Sequence, residues 1–236
     1  FGDLFCVDIT TQKPVWQKNI WTDFGGQDLP VWGISQCPQI YGNMVIVSSH
    51  APDAGVVAYN KNTGELLWKT ANLGNETYVS PSVVKISGED QVVMVTSSTN
   101  PYRSQGKEKT MGKIIGMELN SGKVLWKYEN WECHISVASA VDAGDNKILV
   151  AGGYELGCVM IKIEKNADGK YGVTELFKHN DFGDHTKPPI LHNGYFYAQF
   201  STNGKRDGLV CMNMDGKIMW KTKNVPRFDK GSMILA

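Results

Sequence analysis

Residues 58–68 read AYNKNTGELLW, and residues 116–126 read GMELNSGKVLW. Related segments stand at 6–16 (CVDITTQKPVW) and at 211–220 (CMNMDGKIMW), so one motif recurs along the chain. Each copy has a short β-type run, a polar turn and a second short run that ends at a tryptophan. The motif predicts a β-hairpin whose second strand carries a large aromatic ring.

The spacing of that aromatic residue predicts the architecture. Between Trp126 and Trp220, EKNADGKYGVTELF supplies phenylalanine as a weaker equivalent, and the steps between successive copies are then 52, 58, 51 and 43 residues. Repeats of about 40–50 residues built from short strands are typical of propeller blades. The five aromatic positions, which we expect to pack between neighbouring sheets in a structural role, are Trp16, Trp68, Trp126, Phe177 and Trp220. We therefore expect Trp68→Ala or Trp126→Ala to be severely destabilising, and Trp21→Ala, on a loop, to have little effect.

Each interval divides into four strand-like runs, named A to D in chain order. The sequence thus predicts an all-β protein, a β-propeller of four-stranded antiparallel blades in one domain, 1–236. Glycine in the C–D turns, at 64, 122, 169 and 216, fits a backbone position with positive φ; the first copy has no glycine there. The expected parts are a partial blade at 1–20, blades at about 34–70, 78–128, 135–179 and 186–222, and the start of a further blade at 229–236.

Composition excludes several classes of partner and site. Hydrophobic residues make up 42% of the 236, enough for a substantial core, and 24 basic residues balance 24 acidic ones. Without a run of one charge, nucleic acid is not expected as a partner, and no apolar stretch approaches the roughly 18 residues of a membrane span. Five cysteines without a CxxC pair indicate neither a disulfide framework nor a zinc site.

The motif resembles a known repeat. The pattern A-x-(D/N)-x-x-T-G-x-x-x-W at 58–68 is similar to the tryptophan-docking repeat of pyrroloquinoline-quinone (PQQ)-type propellers, and WTDFGGQDLPVWGISQCPQIYGNMVIV at 21–47 resembles the PQQ-binding-like group. That superfamily includes quinoprotein dehydrogenases and the propeller lipoprotein of the outer-membrane assembly machinery. Family rings have seven or eight blades, so the resemblance implies that this chain is an incomplete part of one. A small closed ring, in which the terminal strands share a blade, is the alternative.

Strand alternation predicts where binding residues gather. Successive antiparallel strands run in opposite directions, so the B–C and D–A loops share one side of the blades, here named the loop face. All the long polar segments belong to that side: 17–33, 49–55, 99–112, 129–135 and 178–186. Loops grouped on a rigid scaffold are where binding usually resides. The candidate binding residues are Trp21, Asp23, Trp32, His50, Asp53, Tyr102, Arg103, Trp131, His134, Asp184 and His185.

Residues on the loop face could also take part in catalysis or bind a metal ion. Asp184 next to His185 could orient an imidazole as a general base, and His134 with His185 could hold a metal ion. Polar residues gather on loops in any case, and the aromatic residues could simply pack onto the blades. No catalytic or metal residue is therefore predicted.

The resemblance leaves two functions open. It implies that quinoprotein dehydrogenases hold PQQ between a tryptophan and a disulfide of two adjacent cysteines, with calcium and an aspartate base. No two cysteines are adjacent here, and Cys6 and Cys211 fit a buried strand-C position. We expect a non-catalytic scaffold, without a cofactor, that binds a protein or polysaccharide partner through the loop face. The alternative is part of a PQQ- and calcium-dependent alcohol or sugar dehydrogenase. The resemblance also implies a periplasmic or cell-envelope location.

Overall fold

A computed structural model describes residues 1–102, 106, 108–154, 156–202, 205–222 and 233–235. Within these residues, short segments rich in β-branched side chains form eighteen strands, separated by turns at glycine, asparagine and aspartate. A single turn of 3-10 helix, Thr22–Phe24, interrupts them. The strands are β1 (Asp3–Asp8), β2 (Lys13–Asn19), β3 (Gln39–Tyr41), β4 (Met44–Ala51), β5 (Ala54–Asn60), β6 (Leu66–Lys69), β7 (Ser82–Ile86), β8 (Glu89–Val95), β9 (Gly112–Glu118), β10 (Val124–Trp131), β11 (Val141–Gly144), β12 (Lys147–Gly152), β13 (Gly157–Lys165), β14 (Tyr171–His179), β15 (Ile190–His192), β16 (Tyr195–Thr202), β17 (Lys205–Asn213) and β18 (Ile218–Lys221).

The strands pair strictly in chain order. Four antiparallel sheets of four strands form blade I (β3–β6), blade II (β7–β10), blade III (β11–β14) and blade IV (β15–β18), and β1 pairs with β2 alone. The first strands of neighbouring blades contact one another, β3 with β7, β7 with β11, and β11 with β15. Sheets joined side by side through their first strands are the arrangement of a propeller, so the predicted all-β propeller is confirmed.

The first two strands form a separate two-stranded sheet before blade I. Among the described residues β1 and β2 pair only with each other, which gives no support there to a blade shared between the termini. The further strand expected at 229–236 lies mostly outside the described residues.

The core runs through the middle strands of each blade. All eight residues of β4 are buried, and so are the last five of β8 and of β12. The fourth strands are half exposed, as the pattern of β6 shows. Middle strands are covered by the adjacent blades on both faces, which is why they read as nearly continuous apolar runs such as MVIV and VVMV.

A tryptophan lies at the seam between blades I and II. Trp68 on β6 is 7% exposed, and its Nε1 donates a hydrogen bond to the carbonyl of Leu119 in blade II at 3.0 Å. The ring rests on the β9–β10 turn, where a Cβ added to Gly122 would lie 2.5 Å from it. Gly122 has φ +69°, so the turn needs glycine for its backbone as well as for this approach.

Two other seams repeat this geometry. Trp16 on β2 donates to the carbonyl of Lys61 at 3.0 Å, and a Cβ on Gly64 would lie 2.7 Å from its ring. Phe177 on β14 stands in the same relation to Gly216 in blade IV, at 2.9 Å. In each case an aromatic ring of one blade covers a glycine turn of the next.

Trp126 departs from that arrangement. Its ring covers Gly116 of its own blade, and its Nε1 donates to Oε1 of Gln91 at 2.7 Å. The next blade has a long hairpin, because β13 and β14 each extend over nine residues. This carries Gly169 away from the seam, and no atom lies within 4 Å of a Cβ placed there.

Two further tryptophans differ in burial. Trp220 is 45% exposed, with its ring centroid 6.2 Å from that of Tyr197 in the same blade. Trp21, by contrast, is 8% exposed and packs with Ile20 and Phe24 against blade I. The expectation of a freely replaceable loop residue at Trp21 is wrong, because the segment after β2 folds back onto the first complete sheet.

Candidate functional site

The loop face contains an open cavity of about 570 Å³. His50 lies near the end of β4, and the other lining residues lie on B–C or D–A loops or on the segment that joins β2 to blade I. A neighbouring cavity of about 380 Å³ shares Ser98, Thr99 and His134 with the first. The alternation of strand direction therefore brings these loops together around one concave surface.

Four of the predicted binding residues meet at the larger cavity: Trp21, Trp32, His50 and His134. They come from the segment between β2 and β3, the end of β4 and the loop between β10 and β11. The ring of Trp32 stands edge-on to that of Tyr78, with centroids 5.5 Å apart. Trp32 is about half exposed, so part of this aromatic pair faces solvent at the rim.

The other candidates lie elsewhere. Asp23 accepts a hydrogen bond from the amide of Asn19 at 3.1 Å, and the amide of Asp53 donates to the carbonyl of Phe24 at 3.1 Å. Both tie the β2–β3 connection to the scaffold. Trp131 is buried, and its Nε1 donates to Oγ of Ser136 at 3.0 Å. Arg103 lies outside the described residues.

His50 has an unusual local structure for a bulky residue. Its backbone lies in the left-handed region, with φ +54°, and the residue is 8% exposed. Burial lowers the pKa of His50 from its ordinary value to about 4, so the imidazole is neutral at physiological pH. Neither ring nitrogen has a hydrogen-bond partner among the described residues, and the same holds for Nε1 of Trp21.

A row of rings crosses the loop face beside the cavity. The ring centroids of Tyr102 and His134 are 6.1 Å apart, those of His134 and Tyr154 are 5.3 Å apart, and those of Tyr154 and His185 are 4.4 Å apart. Partial burial also lowers the pKa of His134. The ring of Tyr154 contacts both imidazoles that were considered as a metal pair.

Sequence reasoning missed Tyr154. Its φ is +58°, a conformation that costs free energy in a residue with a Cβ, and a Cβ on the preceding Gly153 would overlap His185. The one available signal was the pair Gly152-Gly153, which directly follows a buried strand and indicates a close approach of backbone to another group.

Asp184 shapes the loop that follows blade III. The residue is 1% exposed, and its Oδ1 accepts hydrogen bonds from the amides of Thr186 and Lys187 at 2.8 and 3.2 Å. Its Oδ2 lies 3.5 Å from Nζ of Lys187, which donates to Oε1 of Gln199 at 2.7 Å. A buried charge paired in this way holds the loop in one conformation.

The donor groups do not fit a quinone clamp of the kind that the resemblance implies. All five cysteines are free thiols, and burial raises the pKa of Cys133 and of Cys158. No three histidine, cysteine or acidic residues in the described ranges are arranged to hold a metal ion.

Among the described residues, no helix has the length and apolar character that crossing a membrane requires.

Comparison with known proteins places the fold. Residues 1–222 match a PQQ-type family described as outer membrane protein assembly factor BamB. The chain belongs to this family. The match covers the four four-stranded blades that the structure describes, and the predicted resemblance to PQQ-type propellers is confirmed.

One relative of this chain carries the name of a redox enzyme. A quinoprotein ethanol dehydrogenase of Pseudomonas aeruginosa is 26% identical over 155 residues, which cover 61% of this chain and 22% of the relative. The chain thus spans about a fifth of that enzyme.

Two solved structures are also similar. A europium-containing methanol dehydrogenase matches with a TM-score of 0.60 at 15% identity, covering 94% of this chain and 58% of its own. BamB from Moraxella catarrhalis matches with a TM-score of 0.48 at 16% identity, covering 90% of this chain and 68% of its own. The methanol dehydrogenase shows that the fold is shared, and no more.

Proposed function

We propose that this family member is a non-catalytic scaffold that binds a partner protein through its loop face. The observation that supports this most directly is the grouping of exposed aromatic side chains around an open cavity on that face. Trp32, which lines the cavity, is about half exposed, and Tyr102 is 86% exposed beside His134, another lining residue, with ring centroids 6.1 Å apart. Exposed aromatic residues of this kind are enriched at the centres of protein interfaces.

The family description supports the class of partner. It names an assembly factor for outer membrane proteins, so a protein partner and a location in the bacterial cell envelope follow by analogy. Fractionation of the source cells would test the location. Recovery with the cytosolic fraction would contradict it.

Site-specific photo-crosslinking tests the binding face. A benzophenone amino acid at Tyr102 reports on the loop face, and the same group at Tyr195, the first residue of β16 after the A–B turn of blade IV, reports on the opposite side. We expect discrete crosslinked protein bands from position 102 and none from position 195. Equal crosslinking from both positions, or crosslinking from 195 alone, would overturn the proposal.

The alternative is a quinoprotein dehydrogenase, which the ethanol dehydrogenase relative favours. The absence of adjacent cysteines from the sequence argues against it. Incubation of the full-length protein with PQQ and calcium, followed by a dye-reduction assay with alcohols and sugars, tests this directly. We expect no reduction above a heat-denatured control, and sustained turnover would favour the enzyme.

A further inference from the structure

Two exposed glutamates that line the larger cavity have carboxylates without a protein partner. Glu76 lies on the loop between β6 and β7, and Glu108 lies on the loop between β8 and β9. Neither side chain forms an ion pair or a hydrogen bond with another described residue. Most other described glutamates do have a lysine, tyrosine or serine partner, namely Glu89, Glu118, Glu129, Glu132, Glu164 and Glu175.

Hydrogen bonds between loops bring these two glutamates to one cavity. Nδ2 of Asn75, the residue before Glu76, donates to Oγ1 of Thr110 at 3.0 Å. Oγ1 of Thr110 lies 2.8 Å from Oγ1 of Thr99, which donates to the backbone carbonyl of Glu108 at 3.1 Å. A chain of hydrogen bonds therefore links the backbone next to Glu76 to that of Glu108.

The described lining of the larger cavity carries negative charge. None of the described residues that line it is a lysine or an arginine. Lys109, next to Glu108 in the sequence, lines the neighbouring cavity, where its Nζ donates to Oε1 of Glu132 at 3.0 Å. His50 and His134 are mainly neutral at pH 7, because burial lowers the pKa of each imidazole. A cationic group would therefore complement the cavity, and an anionic group would be repelled.

An indole ring at the rim favours one kind of cation. Trp32 is about half exposed, with its ring edge-on to that of Tyr78. The guanidinium group of arginine is planar, stacks on aromatic faces and has five N–H donors for carboxylate and hydroxyl oxygens. Ser98 supplies a hydroxyl group in the same lining. The ammonium group of lysine has the charge but not the planar shape, so the lining matches arginine better.

We propose that the larger cavity receives an arginine side chain of the partner protein, held by Trp32 and by the carboxylates of Glu76 and Glu108. The cavity volume of about 570 Å³ is within the range of about 300–1,000 Å³ that small-molecule sites occupy, so the side chain and the adjoining backbone of the partner have room. This inference rests on the proposed function, because it names the group that the partner inserts into the loop face.

Peptide titration followed by NMR tests the inference on the full-length protein. The probe is the peptide Ac-Gly-Gly-Arg-Gly-Gly-amide, compared with the same peptide containing citrulline or lysine in place of arginine. Citrulline keeps the size and the planar shape of arginine but has no charge. We expect the arginine peptide to shift the indole N–H signal of Trp32, assigned by its loss in Trp32→Phe, and to bind several-fold more tightly than either comparison peptide. Absence of binding by the arginine peptide, or equal binding of a comparison peptide, would overturn the proposal.

Glutamine substitutions locate the bound group. Glu76→Gln and Glu108→Gln keep the size of each side chain and remove its charge, so each should weaken binding of the arginine peptide roughly threefold, and the double variant roughly tenfold. Glu65→Gln is the matched control, because Glu65 is also exposed, has no described side-chain partner and lies on a C–D turn of the opposite side. It should leave the affinity unchanged. Wild-type affinity in the double variant would contradict the site.

Crosslinking separates failure of this inference from failure of the proposed function. The protein band crosslinked from position 102 should weaken when Glu76 and Glu108 are both replaced by glutamine, and it should persist in Glu65→Gln. An undiminished band in the double variant would refute the arginine site and leave the protein interface supported. Binding of the arginine peptide without any crosslinked band in the wild type would instead count against the proposed interface.

Discussion

At the scale of single residues, His50 shows how a position can be costly to the fold and still be kept. A left-handed backbone conformation, deep burial and two unpaired ring nitrogens occur together at this one side chain. Unfavourable features of this kind concentrate at functional sites, where the surrounding structure maintains them. The same residue gives the protein a measurable dependence on pH.

Stability should fall between about pH 6.5 and pH 4 because of His50. The pKa of this residue is about 4 in the folded protein and about 6.5 when unfolded, so the unfolded chain takes up the proton first as the pH falls. This loss is absent above pH 6.5 and approaches roughly 3 kcal/mol below pH 4. Urea denaturation of the wild type and of His50→Phe at pH 7 and at pH 4.5 should show a flatter profile for the variant.

Other groups also titrate in acid, and the comparison corrects for them. The lowered pKa of His134 acts in the same direction, and carboxylates such as Glu89 and Asp90, whose pKa values hydrogen bonds lower, lose stabilisation at lower pH. They are present in both proteins. Parallel profiles for the wild type and His50→Phe would contradict the assignment.

Burial separates the tryptophans into two classes. Trp68→Ala should lower the free energy of unfolding by about 3–5 kcal/mol, since it empties a seam and removes the bond to Leu119. Trp21→Ala should be similarly costly, whereas Trp220→Ala, at a half-exposed position, should cost about 1 kcal/mol or less. Chemical denaturation measures all three, and equal losses would be inconsistent with this ranking.

At the scale of single residues, the sequence predicted the backbone conformations that the local turn sequence determines. It did not predict burial that depends on a segment folding back onto a sheet. Positive φ at Gly64 and Gly122 follows from the turn sequence alone. The burial of Trp21 does not, because it requires the 3-10 turn after β2 to fold back onto β4. Tyr154 was missed for a related reason, since its ring neighbours come from loops distant in sequence.

At the scale of elements, the C–D hairpin does two things at once. Its glycine allows the chain to reverse, and it also lets an aromatic ring from the previous blade lie directly on the turn. Blade III separates the two roles: its longer hairpin keeps Gly169 at φ +77° with no ring above it. The extra hairpin residues are visible in the sequence, but the resulting orientation of the Trp126 ring is not.

Two glycine substitutions should distinguish these roles. Gly122→Ala introduces strain at positive φ and a clash with Trp68, whereas Gly169→Ala introduces the strain alone, at a nearly equal φ. We expect a loss of about 1 kcal/mol for Gly169→Ala and a clearly larger loss for Gly122→Ala. The midpoints of urea unfolding measure both, and equal shifts would mean that the ring contact contributes nothing.

At the scale of the whole molecule, the repeat made the fold predictable. Four aromatic steps of similar length and alternating short strands leave few architectures to choose from, and strand direction alone assigns the long loops to one side. The cavity within that side was not predictable. Its shape depends on hydrogen bonds such as that from Asn75 to Thr110, which joins two loops separated in sequence.

Local stability should differ among the sheets. Five of the seven residues of β8 are buried between neighbouring blades, whereas four of the six residues of β1 are exposed. We expect amide hydrogen exchange of β8 and β9 to be slower by orders of magnitude than that of β1 and β2. Mass spectrometry of peptides from the two regions, corrected for intrinsic exchange rates, measures the difference, and equal protection would argue against stability arising from blade stacking.

The tryptophans that pack against glycine turns have a practical consequence for spectroscopy. Each of these indoles belongs to one junction between sheets, and its ring NH is bonded to a carbonyl across that junction, as for Trp16 and Trp68. The emission wavelength and the quenching of an indole depend on its surroundings, so variants that retain one indole each would act as built-in optical probes. Their fluorescence would report, junction by junction, the order in which the sheets separate when the protein is heated.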